Sequence, residues 1–212
     1  KYGGQLIVVC SQAFFMKANG KSWFFNSCRK FFGVPDGAYL MPPDGIEISP
    51  VPERNENYTV QHLIKRLEGN TEEGFEYYKE NEVRCGSEIK SMSIITERLL
   101  SHLNYHQVAE RRIQNFTILH DFFGKYNQLR LSQKNDGVPM VYPLLLKQKA
   151  DHQKLWAQKV YVPIYWSDIL KRNTKDFTNE VQLTNNMLPL PVDQRYHAED
   201  MIYLAKIIEQ QC

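Results

Sequence analysis

The residues with the clearest chemical potential lie in Asn26-Ser27-Cys28-Arg29-Lys30-Phe31-Phe32-Gly33-Val34-Pro35-Asp36-Gly37-Ala38-Tyr39-Leu40. Ser27 and Lys30 stand three positions apart, with aromatic residues after the lysine and a Val-Pro-Asp-Gly turn beyond them. A lysine amine attacks carbonyls only when its charged form is disfavoured, by desolvation or by a neighbouring cation. Phe31, Phe32 and Arg29 stand where they could supply both. Such a lysine beside a hydroxyl is the arrangement that a Schiff base with pyridoxal phosphate (PLP) needs.

The elements that must hold these residues follow from hydrophobic spacing. Leu6 to Val9 is a continuous apolar, β-branched run, the pattern of a parallel strand covered on both faces, whose carboxyl end is a ligand position. Ala18-Asn19-Gly20-Lys21 reads as a turn, and Trp23 to Phe25 and Ala38 to Met41 read as further short strands, so Lys30 falls in a connection between strands. Pro42 to Pro52 reads as an extended crossing. Val60, Leu63, Ile64 and Leu67 then recur at helical spacing behind a Thr59 cap, with Gly69 as the stop. Glu72 to Val83 reads as a polar, exposed helix, and residues 88–123 as one long helix or two stacked ones. Beyond Gly124 the pattern predicts strands at 140–146 and 160–166, a helix at 151–158, an extended segment at 187–192 and an amphipathic helix at 198–210. The expected fold class is α/β, with a strand-rich cofactor-binding part and connecting helices over 1–90 and an α+β unit over 91–212.

Composition narrows the function classes. A chain of 212 residues with 42% hydrophobic content has enough apolar surface for one large domain or two small ones. Its net charge is +2 and neither sign forms a block, which argues against nucleic acid or an anionic membrane as the main partner. The apolar runs fall far short of the ~20 residues that a membrane-spanning helix needs, and the start does not read as a signal peptide. The expected compartment is therefore the cytoplasm. Cys10, Cys28, Cys85 and Cys212 form no CxxC pair and no zinc spacing, the six histidines share no common spacing, and no metal is expected. Asn57-Tyr58-Thr59 and Asn115-Phe116-Thr117 match the glycosylation triplet by chance. The chain opens at Lys1 without an initiator methionine and enters an apolar strand almost at once, which predicts that further chain precedes it.

Ser-x-x-Lys also opens the site of penicillin-binding proteins and class A β-lactamases, where the serine is the nucleophile. Those enzymes need Ser-Asp-Asn and Lys-Thr-Gly as well; Ser167-Asp168-Ile169 only approaches the first, and the second is absent. A wider match favours the lysine. The apolar strand followed by Ser11-Gln12-Ala13-Phe14-Phe15, then Ser27 to Lys30, then Gly37-Ala38-Tyr39-Leu40, resembles the cofactor-binding core of fold-type I PLP-dependent aminotransferases. Within these it is similar to the DegT-type enzymes acting on sugars and nucleotide sugars. Asn104 to Phe116, Val138 to Leu144, Val160 to Trp166 and Leu188 to Tyr196 resemble that group's small domain. The resemblance covers nearly the whole chain, but only the later part of the family's length.

The resemblance implies transfer of an amino group from an amino acid to a keto-sugar, with Lys30 forming the internal aldimine and, once released, moving the substrate proton. It implies Ser27 as a hydrogen-bond partner of the cofactor phosphate, Gln12 as the residue approaching the phenolic oxygen of the ring, and a homodimer. Arg29 is a candidate for an anionic substrate group or for an ion pair, and Tyr39, Tyr165 and Trp166 for an aromatic wall against a sugar ring. One position departs. Three residues before its glutamine the family has an aspartate that keeps the pyridine nitrogen protonated, and here Val9 stands there. Loss of that charge stabilisation, ~4 kcal/mol or more, would weaken carbanion stabilisation by orders of magnitude. Either the activity is altered or lost, the chain being kept for binding or assembly, or another carboxylate substitutes, with Asp36 the candidate by proximity in sequence.

Overall fold

The computed structural model describes residues 5–49, 51, 53–131, 137–172 and 175–210. It is mixed α/β, and the chain divides into two compact units, Lys1–Asn104 and Tyr105–Cys212.

In the first unit β1 (Ile7–Cys10) pairs in parallel with β2 (Trp23–Asn26), and β2 pairs antiparallel with the short β3 (Leu40–Met41). The register sets Cys10 opposite Asn26, so the carboxyl ends of the two parallel strands finish side by side. The apolar run of β1 does form a parallel strand, but it is not covered on both faces: Ile7 and Val9 are each 62% exposed. The physical reason is its place at the sheet edge, with β2 its one neighbour among the described residues. Three helices follow, α1 (Gln61–Leu67), α2 (Thr71–Cys85) and α3 (Ile94–Ser101). Gly69 turns the chain at φ +83°, which fits the stop read from sequence, but the N-cap of α1 is Val60 and not the expected Thr59, whose Oγ1 accepts from the backbone N–H of Gln61 one residue outside the cap.

The interior of this unit is unusually polar. Ser22, Asn26, Asp36, Asn55, His62, Asn81, Ser93 and Thr96 are all buried. The Asp36 carboxylate is the centre of it. Oδ2 accepts from Asn55 Nδ2 at 2.8 Å and from the backbone N–H of Ser93 at 2.9 Å, while Oδ1 accepts from Ser93 Oγ at 2.8 Å and from the Thr96 hydroxyl. Ser93 is also the N-cap of α3, its side chain accepting from the backbone N–H of Thr96. Asn81 of α2 donates to Pro35 O at 2.7 Å and accepts from the N–H of Thr59 at 2.7 Å. The Val34–Gly37 turn is thereby tied to α2, to α3 and to the segment around Asn55. Gly37 has φ +99°, and a Cβ there would meet Thr96 Cγ2 at 2.8 Å, so only glycine fits.

The second unit has an apolar core. α4 (Tyr105–Phe123) and α7 (Ala198–Glu209) pack with the antiparallel pair β4 (Val141–Leu145) and β5 (Met187–Pro191), while α5 (His152–Ala157) and α6 (Thr178–Asn186) complete the unit. Leu119, Phe123, Tyr142, Leu144, Leu190 and Ile208 are among the residues that close it, each fully buried. α7 contributes Met201, Leu204, Ala205 and Ile208, at the helical spacing expected of its amphipathic pattern. Arg112 of α4 is also buried. It donates to Gln194 Oε1 and to the carbonyls of Pro139 and Met140, and burial pulls its guanidinium down to about 10, with Asp193 opposing.

Of the two forms expected for residues 88–123 the chain takes the two helices, the first beginning at Ile94 and the pair broken at His102, Leu103 and Asn104. Residues 160–166 are not a strand but irregular chain, with only Val162 buried, leading into a 3-10 turn at Ser167–Lys171. α6 was not foreseen, because its sequence is mostly polar. Asn115 of the second glycosylation triplet is 1% exposed, its Nδ2 donating to the carbonyls of Val192, Asp193 and Tyr196, which excludes glycan attachment in the folded protein.

Asp36→Ala strands the buried donors of Asn55, Ser93 and Thr96. It should lower the stability of the first unit by about 3 kcal/mol or more, read as a fall in urea midpoint, with the larger share of the loss in residues of α3 when followed by hydrogen exchange.

Candidate functional site

Lys30 sits on a 3-10 turn, Cys28–Lys30, immediately beyond β2. The turn is closed by Phe31 N–H and Phe32 N–H, both donating to Cys28 O, and Cys28 N–H donates to Gly37 O at 3.0 Å, which ties it to the Asp36 turn. Cys28 is fully buried, and burial together with Asp36 pushes its thiol up to about 12, so it is an inert packing group.

Gln12 follows the end of β1 as Ser27 follows the end of β2, so the parallel register sets these residues and Lys30 at one edge of the sheet. An aromatic cluster joins the two connections. The Phe14 ring meets Phe32 edge-on at 4.7 Å and lies 5.8 Å from Phe31, while Phe15 lies 5.9 Å from Phe31. Phe31 and Phe32 are buried, yet Lys30 and Gln12 are exposed and Ser27 is half-buried. The expected desolvation of Lys30 by its aromatic neighbours is therefore not what this structure shows: the rings turn inward and the lysine outward. Ser27 stands at the N-cap position without using its side chain as a cap.

Arg29 is an ion-pair residue, bonded to Glu82 of α2, each partner partly exposed. Tyr39 is 40% exposed, its ring 6.1 Å from Phe14 and so against the same cluster. Tyr165 and Trp166 belong to the second unit and meet edge-on at 5.6 Å. Trp166 is 56% exposed and held in the left-handed region at φ +53°, an arrangement that β-carbon crowding normally disfavours. Asp36, the carboxylate nearest in sequence, has both oxygens engaged. All its acceptor capacity visible here goes to buried donors of its own unit.

The buried polar groups that spacing did not reveal are His62 and, with partners far along the chain, Asp36 and Asn81. His62 of α1 is 2% exposed with Nδ1 unpartnered, and its ring lies 6.0 Å from Tyr78. Burial first, then Arg66 and Arg29, hold its imidazole below the ordinary histidine range. A cleft of about 480 Å³ lies against α3, lined by Tyr58, Ile94, Ile95, Arg98, Leu99 and His102. It includes none of Gln12, Ser27 or Lys30 and holds no lysine or carboxylate, so the sheet edge is the better chemical candidate. No cluster of histidine, cysteine and carboxylate suited to a metal occurs among the described residues. Nor is any helix among them long and apolar enough to cross a membrane. No family model and no curated protein matches the chain.

The depressed His62 means that below the unfolded histidine value, near 6.5, the unfolded chain binds the extra proton and stability falls as pH falls. The urea midpoint of the first unit should drop between about pH 7 and pH 5. His62→Phe, which keeps a ring against Tyr78 but cannot titrate, should flatten that drop; an unchanged slope would refute the assignment.

Proposed function

We propose that this chain carries the lysine-bearing part of a PLP-dependent aminotransferase site of the DegT-like kind, acting between an amino acid and a keto-sugar. The observation that carries the reading is the parallel β1–β2 pair, which puts Gln12, Ser27 and Lys30 at the carboxyl edge where ligands of parallel sheets bind. The donor set fits the cofactor at three points: an accessible amine on Lys30, a hydroxyl on Ser27 not committed to capping, and the Gln12 amide. It does not fit at the ring nitrogen, where Val9 offers no charge and Asp36 is engaged elsewhere.

When bound, PLP supplies an electron sink for amino-group transfer. The residues of this chain have distinct roles in the proposal. Lys30 Nζ would hold the cofactor, and its amine would hold and move a proton at the substrate carbon. The Ser27 hydroxyl would hold the phosphate and the Gln12 amide would orient the ring. Tyr39, in the same unit as Lys30, is assigned to sugar contact. Arg29 is assigned to holding the lysine turn against α2 through Glu82, and a cytoplasmic homodimer is part of the same proposal. The second reading is a non-catalytic homologue that keeps the fold for binding or assembly, and Val9 is the specific observation that favours it.

Two measurements test and separate these readings. Protein treated with PLP and then borohydride should carry a stable pyridoxyl group on Lys30, located by peptide mass, and Lys30→Ala should abolish that label. A folded sample labelled nowhere, or equally at other exposed lysines, would sink the cofactor reading. Val9→Asp, at a position 62% exposed and so tolerant of charge, should raise the half-reaction with glutamate by about a hundredfold or more.

A further inference from the structure

One face of α3 lines a cleft that the Lys30 edge does not share. Thr96 and Leu100 are the buried residues of this helix, and the Thr96 hydroxyl donates to Asp36. That bond fixes the roll of the helix. Ile94, Ile95, Arg98, Leu99 and His102, recurring at one-turn spacing, therefore border a cleft of about 480 Å³ together with Tyr58 from the segment before α1. Ile94 and Leu99 remain 54% and 44% exposed. The neighbouring charges cancel, since Glu97 is paired with Arg54, whose guanidinium also donates to Met92 O at 3.3 Å. Arg98 is different. No carboxylate among the described residues pairs with its guanidinium, and none lines the cleft. Its carbonyl oxygen accepts from His102 Nδ1 at 2.7 Å, which places a proton on that nitrogen and leaves Nε2 for a ligand.

We propose that this cleft is a binding site for a small organic monoanion, a carboxylic acid with an aromatic or branched apolar body. The body lies against Ile95, Leu99 and the Tyr58 ring, and the carboxylate meets the Arg98 guanidinium. Three features select this class. The volume falls in the range of sites for small molecules, roughly 300–1,000 Å³. The walls are apolar apart from a cation that nothing else neutralises, so a neutral ligand would leave that charge unmatched and a cationic one would be repelled. A single guanidinium matches one planar carboxylate through its two-pronged donor geometry, whereas a polyphosphate would need more positive charge than the cleft carries. The site lies wholly within the first unit and is independent of any chemistry at Lys30.

Calorimetric titration of the full chain with 2-naphthoate tests this, with the uncharged 2-naphthamide as its comparison. The acid should bind with a Kd of about 100 μM and the amide about tenfold more weakly. Arg98→Gln should lower the affinity for the acid about tenfold and leave the amide unchanged, while Arg98→Lys, which keeps the charge, should recover most of the loss. Leu99→Gln, at a position exposed enough to accept a polar side chain, should weaken acid and amide alike by about fivefold. Lys30→Ala should bind the acid as the wild type does. Unchanged urea midpoints for the variants show that each is folded. The proposal is overturned if a folded sample shows no saturable binding at about 1 mM probe, if the amide binds as well as the acid, or if Arg98→Gln binds the acid like the wild type. Binding lost in Lys30→Ala instead would place the probe at the sheet edge and overturn it equally.

Discussion

The first unit depends on one buried carboxylate. An ion removed from water is costly unless its acceptor sites are filled, and the Asp36 sites are filled by groups from separate stretches of chain: the Asn55 amide, the Ser93 backbone and hydroxyl, and the Thr96 hydroxyl. Such a network is directional in a way that apolar packing is not. The turn after Lys30, the segment at Asn55 and the amino end of α3 can meet in only one arrangement if every donor is to be satisfied. Asn81 extends the constraint to α2 by taking Pro35 O and the Thr59 N–H at once. The second unit is held differently, by interlocking side chains around Tyr142, Leu144 and Leu190.

That constraint bears on the chemistry because the lysine turn is its neighbour. Cys28 is bonded to Gly37, and Arg29 reaches α2 through Glu82, so the backbone presenting Lys30 is braced on both sides. The aromatic cluster of Phe14, Phe15, Phe31 and Phe32 braces the Gln12 connection against it. What the bracing does not supply is a dry, charged environment. The lysine amine faces outward, and the end of β1 carries Val9, an uncharged side chain. A preorganised frame and an absent charge are separate properties, and they favour different readings of the same edge.

The legible parts of the fold were those whose cause is local. The 3.6-residue spacing of α1 and α7, the apolar β1 run and the glycine stop after α1 all encode their own geometry in adjacent residues. Apolar spacing that continues through Leu99 and Leu103 left one helix and two equally legible over 88–123, and the chain takes two. The segment 160–166 has aromatic and β-branched residues typical of a strand, but only Val162 found a buried partner surface. At the site, the short spacing of Ser27 and Lys30 could be read directly. The role of Asp36 could not, since its partners stand 19, 57 and 60 residues away and nothing local marks a carboxylate as buried.

The open edge of β1 has a consequence for how the molecule behaves in company. The strand presents Ile7 and Val9 to solvent and, among the described residues, leaves one row of backbone donors and acceptors unpaired by any neighbouring strand. No lysine, proline or bulge within Ile7–Cys10 guards it. Such an edge is a template for any extended peptide of matching length, and its occupancy rises with protein concentration. Lys30 itself lies off that row, on the turn that follows β2.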